Sequence, residues 1–126
     1  MRTSLVAALV FGFIASVAVI TTRAADEQPK WDVKQVMKAA HKDGLLKKVV
    51  SGEGNEQDAK DLLALYEALG ANKAPRGDAA EWKAKNDAII AAAKDVVAGK
   101  EGAGKALQAA TNCANCHKAH KPPADK

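Results

Sequence analysis

From Pro29 onward the apolar residues of this chain recur at helical spacing, and glycines and prolines cut the pattern into pieces. No segment alternates apolar and polar residues over a strand's length, so the fold class predicted is all-α. The first helix is expected over Asp32 to Val50, with Val33, Val36, Met37, Ala40, Leu45 and Val49 on one face. Gly44 weakens or bends it. Ser51 to Gly54 is a turn, and Asn55 with Asp58 three residues on starts the second helix as a capping box. Leu62, Leu63, Leu65, Tyr66 and Leu69 give that helix a broad apolar face, which Gly70 ends. After a loop over 71–77, Asp78 and Glu81 open the third helix. Its core face is read as Trp82, Ala88, Ile89, Ala92, Ala93, Val96 and Val97, and Gly99 closes it. Gly102 and Gly104 mark the last turn. A fourth helix then carries Leu107, Ala110, Cys113, Cys116 and His117 until Pro122 and Pro123 stop it. Four amphipathic helices on short loops predict an antiparallel up-down-up-down four-helix bundle.

The chain's only cysteines stand in the run Cys113-Ala114-Asn115-Cys116-His117. C-x-x-C followed at once by histidine is the attachment signature of a c-type haem. Thiols at i and i+3 share one face of a helical turn and can both form thioethers with the haem vinyl groups. His117, at i+4 from Cys113, then offers a ring nitrogen to the iron as proximal ligand. The expected cofactor is one covalent haem c per chain. Other uses of the pair are weaker. A thioredoxin-like dithiol sits near a βαβ pattern, which is missing here. Zinc needs further ligands beyond His117 and His120. A disulfide over so small a loop stabilises little. A thiol-disulfide or zinc protein remains the remote alternative.

The N-terminus agrees with haem attachment outside the cytoplasm. Arg2 precedes an apolar run from Leu5 to Ile20, and Thr22-Arg23-Ala24 supplies small residues where a signal peptidase cuts. Residues 1–24 therefore read as a signal peptide, 25–30 as a short tether, 31–121 as the haem domain and 122–126 as a tail. The expected location is the periplasm. The alternative is a retained anchor facing it, because the 20 residues from Thr3 to Thr22 carry no charge and are long enough to span a bilayer. Membrane association is expected only if that segment stays uncut. Cutting 24 residues from 126 leaves 102, enough for one small core. Arg2 and Arg23 leave with the segment, so 17 basic residues face 15 acidic ones. That balance excludes the concentrated basic surface of a nucleic-acid binder. Phe11 and Phe13 also leave, and the remaining aromatics are Trp31, Tyr66 and Trp82. A core otherwise built of Ala, Leu and Val lacks volume that a buried haem would supply.

An exported bundle with C-x-x-C-H near the end of its last helix resembles the class II cytochromes c, the cytochrome c-prime family, over roughly Trp31 to Lys121. In that family a basic residue commonly follows the haem histidine at +4, and Lys121 holds that place, near the haem by implication. An aromatic residue usually precedes it; here the residue is His120. The run Lys34-Gln35-Val36-Met37-Lys38 resembles the family's distal segment, one residue shorter than usual. The resemblance implies that Met37 is the distal iron ligand. His41, one turn further along the same face, is its rival. A His/Met iron suits one-electron transfer with redox partner proteins, whereas an open distal side binds small gases such as nitric oxide or carbon monoxide. No acid/base pair or substrate pocket is legible, so no enzyme activity is expected. Members often pair through their first two helices, which implies a homodimer as one assembly.

Overall fold

A computed structural model describes residues 28–124. Helix makes up 69% of it with no strand among the described residues, so the chain is all-α. The expected signal segment lies outside the described residues. Among the described residues no helix is long and apolar enough to cross a membrane.

Three of the helix starts follow from side chains that satisfy the free amides of a first turn. Asp32 accepts from the Gln35 amide at 2.8 Å, and the Gln35 side chain returns the bond to the Asp32 amide at 2.9 Å. That box opens α1 (Val33–Val36). Asn55 and Asp58 form the same reciprocal pair at 2.8 and 2.9 Å and open α3 (Glu56–Ala71), as expected. Asp78 caps α4 (Ala79–Val97) through the Glu81 amide at 2.8 Å. The Glu81 carboxylate turns outward to Lys85, 2.7 Å away.

Two expected helices are divided. The first is not one α-helix: α1 runs into a π-helical turn, Met37–Lys42, and α2 (Leu45–Val50) begins only after Gly44. The Asp43 amide bonds the Lys38 carbonyl five residues back at 2.8 Å, and the Lys38–Asp43 ion pair spans the same interval at 2.9 Å. Ordinary α geometry would bring together residues three or four apart instead. Gly44 has φ 84°, a left-handed conformation that a side chain resists, so it disconnects α2 rather than merely bending the helix. The last expected helix also splits, into α5 (Ala103–Ala110) and α6 (Cys113–His120). Thr111 folds its hydroxyl back onto the Leu107 carbonyl at 2.9 Å, and Asn112 caps the next helix through the Asn115 amide at 3.0 Å. Both residues compete well with continuous helix.

α3 packs along α4, α4 along α5, and α1 with α2 rests on α3; α2 also meets α5. The core is Val36 and Ala40, then Leu62, Leu65, Tyr66 and Leu69 from α3, with Trp82, Ile89, Ala93 and Leu107. Ala88, expected in the core, is exposed, and Asn86 is buried in the same helix. The Asn86 side chain is satisfied by the Trp82 carbonyl one turn back at 2.8 Å. Gly70 does not end its helix. A Cβ there would lie 3.0 Å from Ile90 Cδ1, so the missing side chain admits α4. Asn72 provides the stop instead, its side chain donating to the carbonyls of Ala68 at 2.7 Å and Trp31 at 2.9 Å. Trp82 Nε1 donates to the Asn72 carbonyl at 2.9 Å, so one residue joins three segments.

Gly77 meets both demands on a glycine at once. Its φ is 84°, and a Cβ would fall 2.6 Å from the Ala119 carbonyl oxygen of α6. Gly52 shares the conformation, φ 83°, with nothing within 4 Å of the added atom. Gly52→Ala should therefore cost about 1 kcal/mol, the left-handed penalty alone. Gly77→Ala should cost about 2–3 kcal/mol, because backbone must also move. Urea denaturation of both variants checks the difference; equal losses would mean that α6 yields freely.

Candidate haem-attachment site

α6 carries all three signature residues on two turns of its own. Cys113 is exposed, Cys116 is half-buried against the core, and both thiols are free. His117 is exposed. Cys113, Cys116 and His120 share one face of the helix by their spacing of three and four residues, with His117 beside it. The ends of α6 are held differently. At its C-terminal end His120 is only 2% exposed, and its ring meets Trp82 edge-on with centroids 5.2 Å apart. Nδ1 of His120 lies 2.8 Å from the Arg76 carbonyl oxygen, so this nitrogen carries the proton and donates. Arg76 Nη2 in turn donates to the Lys118 carbonyl at 2.6 Å. Lys85 donates to the Asn115 carbonyl at 3.2 Å. Beyond these bonds, α6 is not closely packed along any other helix.

Across from the exposed end stand two side chains from other elements. Tyr66 of α3 is fully buried and its hydroxyl has no hydrogen-bond partner. Burial, and after it the nearby Cys113 sulfur, push the phenol far above its ordinary range, so the hydroxyl stays protonated. His41, on the π-helical turn, is half-buried with its ring 6.0 Å from that of Tyr66. Burial, and after it the charge of His117, hold the His41 imidazole below its ordinary value. His41, Tyr66, Cys113 and His117 therefore occupy one neighbourhood. Met37 is partly buried against the core one turn before His41 on the same segment. Lys121 follows α6 as an exposed residue, its backbone amide donating to the His117 carbonyl at 3.1 Å.

These residues fit a c-type haem. The fit rests on two free thiols, Cys113 exposed and Cys116 against the core, an exposed neighbouring imidazole, and a buried hydroxyl without a partner within electrostatic reach of Cys113. They fit the alternatives less well. Cys116 is pushed up, chiefly by burial, which is opposite to the shift of a redox-active thiol. Among the described residues no three His, Cys, Asp or Glu side chains gather as a metal site would require. The burial of His120 was not foreseen. Its place at i+4 from Cys116, on the thiol-bearing face, was the available signal.

His41 gives the site a pH dependence. A histidine whose folded value is depressed opposes folding once protonated, so stability is complete above the ordinary value of 6.5 and falls as pH drops below it. In a chain with both cysteines replaced by alanine, urea midpoints should fall on acidification from about pH 7.5 to 5, and His41→Asn should flatten the drop. An unaltered slope would place His41 in water. Compared with known proteins, the chain matches no family model, no curated protein and no solved structure.

Proposed function

We propose that this chain is a c-type monohaem cytochrome that carries single electrons between redox partner proteins outside the cytoplasm. The observation that carries the reading is α6 itself: the run from Cys113 to His117 on a separate helix, with Cys116 half-buried against the core and Tyr66 and His41 within electrostatic reach of Cys113 and His117. Cys113 and Cys116 hold the haem as thioethers, and His117 is the proximal ligand. When bound, haem supplies a metal centre that accepts and releases one electron. This chain's own part would be to hold the group through Cys113, Cys116 and His117. Tyr66 presents a protonated donor at every accessible pH, since burial opposes its ionisation. Support for an up-down-up-down bundle comes from the packing of consecutive elements: α1 with α2 on α3, α3 on α4, α4 on α5.

The distal group comes from the π-helical segment. Met37 is the proposed ligand, on its likeness to the class II distal segment and its partial burial on the core side. A specific observation favours a second reading: His41 lies within reach of the charge of His117 and packs by Tyr66. His/His ligation would lower the potential relative to His/Met. Gas binding at an open distal side is the third possibility, and it requires neither side chain to bond the iron.

Two measurements test the proposal. Acid-acetone extraction should leave the colour on the polypeptide, with a mass one haem above the unmodified chain. Cys113→Ala with Cys116→Ala should abolish that retention, and a double variant that keeps the adduct refutes the attachment. Met37→Ala should convert a low-spin spectrum to high-spin, speed carbon monoxide binding and lower the potential. A spectrum that stays low-spin transfers the role to His41. A parent that is already high-spin establishes the open site.

A further inference from the structure

We infer that His120 is a positioning residue for the haem-attaching helix, fixing the rotation of α6 so that its thiol face meets the body; this rests on the haem reading above. α6 has no long packing seam to set its orientation. What holds it is a clasp between its last turn and the loop before α4. His120 Nδ1 donates to the Arg76 carbonyl at 2.8 Å, and the Arg76 guanidinium donates to the Lys118 carbonyl at 2.6 Å. The two bonds run in opposite directions between the same two segments, so α6 resists both rolling and sliding. Gly77, the next loop residue, lets its backbone close on the Ala119 carbonyl. The His120 ring is wedged edge-on against Trp82, itself pinned through Nε1 to Asn72.

The clasp acts at a distance because of helical spacing. His120 lies on the same face as Cys116 and Cys113, one and two turns earlier. Burying His120 therefore turns Cys116 toward the body and leaves Cys113 exposed at the far end of the same face, with His117 beside it. A roll of α6 would carry the thiols and the proximal imidazole off their line together. An imidazole suits this place because it combines a flat ring for Trp82 with a donor for the Arg76 carbonyl. Its other nitrogen, Nε2, is buried without a partner.

The test compares His120→Ala with His120→Asn in the haem-loaded protein, Asn keeping a donor near the position of Nδ1. The alanine variant should bind carbon monoxide roughly tenfold faster in the ferrous state, about the worth of one buried hydrogen bond, with a changed ligand-to-iron charge-transfer spectrum. The asparagine variant should remain within about twofold of the parent. An alanine variant that melts lower but keeps the parent's rate and spectrum overturns the proposal, leaving His120 as packing alone. If His120→Ala does not fold, Arg76→Ala breaks the other bond from an exposed side chain and should move the same readings in the same direction; unchanged readings there also overturn it. Thiol labelling separates this inference from the haem reading. In a parent found to carry no haem, exposed Cys113 should react faster than half-buried Cys116, and His120→Ala should erase the difference. A colourless parent with that loss refutes the haem reading and upholds the clasp, whereas an unchanged ratio overturns the clasp.

Discussion

The burial of one face of α3 supports everything else in this domain. Leu62, Leu65, Tyr66 and Leu69 are all 5% exposed or less, and α1, the π-helical turn, α2 and α4 all rest on that helix. Each such side chain contributes about 1.5–3 kcal/mol when taken out of water. Gly70 matters as much by what it lacks. A methyl group there would lie 3.0 Å from Ile90 Cδ1, so that side-chain tip would have to give by a few tenths of an ångström where α4 meets α3. The clasp on α6 depends in turn on Trp82. The order of dependence is thus α3, then α4, then the loop, and last the helix that carries the cysteines.

Much of this was legible in the sequence, where short-range chemistry decides the outcome. Asn55 and Asp78 each bond an amide three residues away, and such local bonds form with little help from the rest of the chain. The run from Cys113 to His117 is equally local, which is why its place on a helix was plain. What escaped was set by tertiary contact. The split at Thr111 and Asn112 needs side-chain bonds that win only when the continuous helix has no better packing to offer. The π-helical turn gives no periodic signal, because one extra residue merely shifts the phase of the apolar face. Ala88 and Asn86 exchanged their expected places since Asn86 finds a carbonyl one turn back and an alanine is indifferent to exposure.

The candidate site shows the same division. The attachment residues are contiguous and could be named, whereas their surroundings are assembled from three other elements. Tyr66 from α3 and His41 from the π-helical turn lie within electrostatic reach of Cys113 and His117. A buried phenol without a partner is costly in a finished core, by about 1–3 kcal/mol. Its position beside Cys113 gives that cost a purpose under the proposed function. There the hydroxyl would be a protonated donor within reach of the proposed attachment helix.

Asn72 has a mechanical consequence. Its side chain grips the Trp31 carbonyl while its own carbonyl holds Trp82, so the chain entering the domain is moored to the junction of α3 and α4. A pull on whatever precedes Trp31 is carried into that junction before it reaches the segment of Met37 and His41. Gly44, at the other end of that segment, is a joint that transmits little torque from α2. Moored on one side and hinged on the other, the π-helical turn is isolated from strain arriving along the chain.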